Sequence, residues 1–167
     1  MSHGNYIISD THFNHKNVIK YCNRPFESVE EMNRKLINNW NSTVKKTDTI
    51  YHLGDFAFGN KEYIIELLSK LNGKKILIMG NHCRRIKKNP SWWIDVGFDV
   101  VYQYPVIYND NFILSHEPVD EIGRFINIHG HLHDKSIDGN YHNVCVENAN
   151  YKPINLDKLI SRLGKEV

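Results

Sequence analysis

The chain reads as an α/β protein: two β-sheets packed face to face as a sandwich, with helices outside. Three observations predict this. Short, β-rich apolar runs recur along the 167 residues, each followed by a polar, glycine-containing loop. In the first half these runs alternate with amphipathic helical segments, and in the second half they are joined by short turns. The length fits one domain spanning residues 1–167, which can bury a sizeable core without staples.

The elements follow in order. "YIIS" (6–9), "TIYHL" (49–53) and "KILIM" (75–79) are continuous apolar runs of strand length, the pattern of central strands covered on both faces. Ser28 with Glu31 forms a capping-box pattern that opens a helix over 29–44, where Met32, Leu36, Ile37 and Trp40 recur at helical spacing. "EYIIELLSKL" (62–71) is a second amphipathic helix, closed by Asn72 and Gly73. The stretch from Cys83 to Gly97 reads as an insertion loop. Residues 99–108, 111–115, 125–130 and 141–147 read as strands of β-hairpins, with turns such as Asn109-Asp110-Asn111 and Asp138-Gly139-Asn140. A last helix over 156–163 carries Leu156, Leu159, Ile160 and Leu163, with Gly164 as its stop.

Composition narrows the class. The chain is 41% hydrophobic and 24% charged, with a net charge of +2, so it carries no global signature for nucleic acid or membrane. Cys22, Cys83 and Cys145 are odd in number and widely spaced, with no C-x-x-C pair. That argues against a cysteine-only zinc site and a disulfide framework, and suits a reducing cytoplasm. "MSHGNYIISD" has no basic n-region and no long apolar stretch, and no run approaches the ~20 residues of a membrane helix. Ten histidines are many for this length, and their placement carries the argument.

Polar clusters follow the apolar runs: Asp10-Thr11-His12, Gly54-Asp55, Gly80-Asn81-His82, His116, and "HGHLH" at 129–133. The carboxyl ends of neighbouring strands in α/β folds converge on a ligand crevice, so these clusters are expected to meet. Imidazoles with carboxylates suit Mn²⁺, Fe, Zn²⁺ and Ni²⁺ more than Ca²⁺ or Mg²⁺. One ion cannot use so many ligands and stay open to substrate, whereas two divalent transition-metal ions can, if a carboxylate bridges them.

The ordered set "SDTHF", "LGDFA", "MGNHC", "LSHEP" and "HGHLH" resembles the calcineurin-like binuclear metallophosphoesterases. Five blocks in order, each after an apolar run, make the resemblance specific. It implies a four-layer α-β-β-α fold and a metal-dependent hydrolase of phosphomono- or phosphodiesters. It also implies roles. Asp10, His12 and His133 would hold a first ion, Asp55 would bridge, and Asn81, His116 and His131 would hold a second. His82 would face the substrate. Manganese is the expected metal, with iron, zinc or nickel as alternatives. A hydroxide bridging the ions would attack phosphorus in line, with His82 donating a proton to the leaving oxygen or stabilising the transition state. The position after Asn-His, usually acidic in that family, is Cys83 here.

Other residues have competing readings. Read as a strand, "HGHLH" puts His131 and His133 on one face, reaching for different ions, while a bend at Gly130 leaves His129 packed behind them. His52 reads as packed near the ligands, His3 and His15 as solvated, and His142 as an ordinary strand residue. Arg24 is a candidate phosphate clamp or a salt bridge to a nearby helix. Arg84 and Arg85, with Lys87 and Lys88, either steer phosphate or form a solvated run. Trp92 and Trp93 pack in the core or stack a base. The expected substrate is a small or exposed phosphoester, such as a nucleotide or a nucleic-acid end. Rival readings are a non-catalytic protein-binding scaffold on the same fold and a nuclease subunit of a larger complex.

Overall fold

The computed structural model describes residues 3–165. Four parallel strands, β1 (Asn5–Ile8), β2 (Thr49–His52), β3 (Lys74–Ile78) and β4 (Val100–Tyr102), form the first sheet in the order β4-β3-β2-β1. A two-residue strand, β9 (Ile154–Asn155), adds antiparallel to β1. The second sheet runs β5 (Val106–Tyr108), β6 (Phe112–Leu114), β7 (Ile126–His129), β8 (Tyr141–Asn143). The expected pair of sheets flanked by helices is therefore present, and both sheets are mixed.

Two cores explain the layers. Ile8, Ile50 and Leu77 face Met32, Leu36 and Trp40 of α2 (Val29–Thr43) and Ile64, Leu67 and Leu68 of α3 (Lys61–Lys70). On the other face, Ile7 and Ile78 pack against Phe112, Leu114, Ile126 and Ile128 of the second sheet. Leu156, Leu159 and Leu163 of α6 (Leu156–Leu163) join that core. Neighbouring residues Ile7 and Ile8 are thus both buried, on opposite faces, which is why the run reads as uninterrupted apolar sequence.

The capped helices form as expected. The Ser28 hydroxyl accepts from the Glu31 N–H (3.1 Å), but the Glu31 carboxylate turns to the Glu27 N–H (2.8 Å), so only half of the capping box closes. Asn60 and Asn155 cap α3 and α6 in the same way (2.9 Å each).

Four expectations are corrected. The 99–108 run is two strands, because the chain crosses between sheets at Gln103–Pro105 and Pro105 brings no ladder donor. The hairpin reading holds only for β5 and β6, joined through Asn109 and Asp110 at positive φ. β6–β7 and β7–β8 are parallel pairs. The 141–147 strand stops at Asn143, and Val146–Ala149 forms a 3₁₀ turn. The 83–97 stretch is not a loop but most of α4 (Asn81–Ile86) and all of α5 (Pro90–Asp95). Trp93 is fully buried there, with Trp92 edge-on against it, so both tryptophans serve packing. A six-residue helix that the sequence did not announce, α1 (Lys16–Tyr21), follows the first polar cluster. No described helix is long and apolar enough to cross a membrane.

Candidate metal centre

The loops after β1 and β2 are zipped together by their backbones. The Asp10 N–H donates to Gly54 O (3.1 Å) and the His12 N–H to Asp55 O (3.0 Å). Gly54 has φ +93°, and a Cβ there would sit 2.5 Å from the Gly80 backbone nitrogen, so only glycine lets the second and third loops touch. A side chain at Gly130 would strike the Ser9 hydroxyl and the Asp10 carboxylate, which is how the second sheet comes so close to the first. Asp10, His12, Asp55, His131 and His133 all have positive φ, between 49° and 67°. Each such non-glycine residue costs about 1–2 kcal/mol. Five of them among the seven expected ligands mark a backbone bent to aim side chains inward.

Those side chains converge in two overlapping groups. In the first, the fully buried Asp10 carboxylate accepts at Oδ2 from the His131 N–H (2.8 Å) and the Cys145 thiol (3.2 Å), while Oδ1 has no partner. His12 Nε2, equally buried and equally unpartnered, lies 3.6 Å from that Oδ1, and His133 Nε2 lies 3.9 Å from it. In the second group, His116 Nε2 is 2.9 Å from Asn81 Oδ1, 3.2 Å from His131 Nδ1 and 3.4 Å from Asp55 Oδ2. Asp55 Oδ2 is also 3.8 Å from His12 Nε2, so this carboxylate borders both groups.

The outer partners fix which ring nitrogen is free. Leu53 O can only accept, so His116 Nδ1 carries a proton toward it (2.7 Å). The Glu147 carboxylate does the same for His133 Nδ1 (3.0 Å). Each Nε2 is left to face the centre. Burial disfavours charge here, yet the imidazoles of His116, His12 and His133 hold the Asp10 carboxyl well below its ordinary range. His116 is likewise pushed up to about 9 by Asp10 and Asp55 against its burial. His133 rises to about 10 against burial, through hydrogen bonds with Cys22 and Glu147. Two buried polar atoms facing each other without hydrogen bonds, within a nitrogen-and-carboxylate donor set, are what a bound transition-metal cation satisfies. The residues present fit such ions.

The remaining expected residues fall as follows. His82, in the first turn of α4, donates its backbone N–H to Asp55 Oδ1 (2.9 Å). Its ring stays 28% exposed in the cleft, with Nε2 4.0 Å from Asp55 Oδ2. Burial of that ring lowers its pKa. Arg24 is buried and takes the salt-bridge alternative: it pairs with Glu147 (2.7 Å) and donates to the carbonyls of Asp10 (2.7 Å) and Thr11 (2.9 Å). It braces the loop after β1 from behind and is not an open phosphate clamp. Arg84 is held by Glu117 (3.0 Å) and Met79 O (2.9 Å), whereas Arg85 stays exposed. Cys83 Sγ accepts the Asp55 N–H (3.2 Å), and burial pushes that thiol up to about 12, so a neutral thiol supports the loop.

The "HGHLH" strand is corrected: β7 ends at His129, and His131 and His133 sit in left-handed turns. They still separate, His131 toward His116 and His133 toward Asp10. His129 is buried with Nδ1 on Gly130 O (2.8 Å), and His52 is buried between Thr11 and Trp40. His15 is also corrected. It is half-buried against Phe58, its Nδ1 3.2 Å from His12 Nδ1, and burial drives it down to about 4. Sequence reasoning gave Glu147 and Cys145 no role at the centre and read His15 as solvated. The signal for the first two was the run "YHNVCVE", whose polar members follow a strand end as the other clusters do.

An open cleft of about 490 Å³ leads to these groups, bounded by His15, Tyr21, His82, Leu132 and Lys135. A family model described as calcineurin-like phosphoesterase matches residues 6–165. An uncharacterised protein of Methanocaldococcus jannaschii is 40% identical over 174 residues, covering 96% of this chain and 91% of that protein. The gene 66 protein of Mycobacterium phage L5 is 36% identical over 80 residues, 46% of this chain and 38% of that one. The crystal structure of a protein of unknown function from Aquifex aeolicus is similar with a TM-score of 0.73 at 29% identity, over 97% of this chain and 100% of that one.

Proposed function

The chain belongs to the calcineurin-like phosphoesterases, and from that premise we propose that it hydrolyses phosphomono- or phosphodiesters with two divalent transition-metal ions, manganese first among them. Asp10, His12 and His133 would hold one ion, Asn81, His116 and His131 the other, and Asp55 would serve both. One observation carries this reading: the unpartnered Asp10 Oδ1 and His12 Nε2, both buried, facing each other at 3.6 Å. Paired ions lower the pKa of a water molecule and offset negative charge on a phosphoryl group.

The chain's own residues do the rest. Asp10 is locked by the His131 N–H and the Cys145 thiol, so its free oxygen has one direction to point. Leu53 O and Glu147 fix the His116 and His133 tautomers. His82 presents a partly exposed ring to the cleft and donates a proton or hydrogen bond to the leaving oxygen. Phe58 and His15 pack around that ring and exclude water from one side of it. Arg85 and Lys135, at the cleft's margin, draw in an anionic ester. The open cleft favours a small or exposed phosphoester. All seven ligand positions are filled by ligating residue types, which supports an enzyme over a non-catalytic scaffold.

The test is hydrolysis of nitrophenyl phosphate and its bis-ester by metal-stripped protein with and without Mn²⁺. Hydrolysis that appears only with Mn²⁺ supports the proposal. A protein that binds no transition metal and cleaves neither ester after Mn²⁺ is added refutes it.

A further inference from the structure

Behind His133 lies a second set of ligand atoms, which shares His133 with the proposed centre and adds Cys22 and Glu147 to it. Cys22 Sγ, a His133 ring nitrogen and a Glu147 carboxylate oxygen all lie within 4.8 Å of one another. Glu147 is uneven. Its Oε1 takes Arg24 (2.7 Å) and His133 Nδ1 (3.0 Å), while Oε2 is buried without a partner on a side chain only 6% exposed. Cys22 differs from the other two cysteines, because Cys83 and Cys145 are buried and Cys22 lines the open cleft.

We propose that Cys22, Glu147 and His133 Nδ1 form an accessory site for a soft divalent cation of the zinc class. Thiolate, imidazole and carboxylate together are a zinc donor set, with a fourth position left open toward the cleft. The unpartnered Oε2 gains a counter-charge without breaking the Arg24 pair at Oε1. On binding, the Cys22 thiol proton and the His133 Nδ1 proton leave to solvent, and sulfur and nitrogen each donate a lone pair to the cation. The two nitrogens of His133 point to different neighbours, Nδ1 to Glu147 at 3.0 Å and Nε2 to Asp10 at 3.9 Å. The imidazole can therefore join the accessory ion to the main centre.

The test uses whole protein preloaded with Mn²⁺ and titrated with Cd²⁺, following the ultraviolet thiolate-to-cadmium charge-transfer band. The expected result is a band that saturates at one thiolate-bound ion per chain and is lost in Cys22→Ser and Cys22→Ala. Absence of the band in the unaltered protein overturns the proposal, as does a band of equal strength in both Cys22 variants. The readout is spectroscopic, so its outcome is independent of whether the protein hydrolyses phosphoesters.

Discussion

His82 is tied to the centre through its backbone and not its ring, because its N–H holds Asp55 Oδ1 while its imidazole looks into the cleft. Replacing the ring leaves that N–H in place. His82→Gln is therefore expected to lower kcat by about 10²–10⁴-fold, the usual worth of a positioned acid or base, with metal content per chain unchanged by elemental analysis. Loss of metal in this variant would move His82 among the ligands. At this scale, the seven proposed ligand positions stood out because each lies just past an apolar run. Their supports were not. Glu147, Cys145 and His15 reach the centre through turns at Asp10, His12 and His133 whose positive φ values leave no periodic trace in sequence. Arg24 stood open between a phosphate clamp and a salt bridge, because guanidinium chemistry is the same toward a carboxylate as toward a phosphate. Only position decides between them, and here Glu147 occupies it.

Helices announced themselves in proportion to length and capping. The 15 residues of α2 give four turns over which Met32, Leu36 and Trp40 can recur, and Ser28 marks the start. The six-residue helices α1, α4 and α5 are under two turns each, too short to display a period. Strand partners were harder still. A three-residue strand such as β8 reads the same whether its neighbour runs parallel or antiparallel, so Asp138-Gly139-Asn140 suggested a hairpin where the chain instead returns to a parallel register. That parallel register brings the β6, β7 and β8 carboxyl ends to the centre, placing His116, His131 and Glu147 there. The cap at Ser28 gives a prediction confined to this scale. Ser28→Ala leaves the Glu31 N–H without its side-chain acceptor, so it should cost about 1 kcal/mol in denaturant unfolding. Activity should stay unchanged, because α2 contributes none of the proposed ligands and the helix itself stays folded.

The centre is also where the two sheets meet. Asp10, beyond the first sheet's β1, receives the His131 N–H from the loop after β7, and His116, beyond β6, donates to Leu53 O beyond β2. These bonds cross the same gap that Ile7, Ile78, Leu114 and Ile128 fill from within. Without cations, buried Asp10 Oδ1 and His12 Nε2 remain unsatisfied. Unfolding disperses the ligands, so an ion bound here stabilises the native state by mass action. At a free Mn²⁺ concentration near 100 times Kd the gain is about 2.7 kcal/mol. For a chain of this size that is a rise in Tm of roughly 5–10 °C. The shift should reverse with chelator. In Asp55→Asn, whose carboxylate borders both groups, most of the Mn²⁺-induced shift should vanish. The comparison is of the metal-induced change within each protein, because removing one buried charge also alters the metal-free baseline. An equal Mn²⁺ shift in Asp55→Asn would show that the stabilising ion binds elsewhere, and the centre would then lose its role in holding the sheets together.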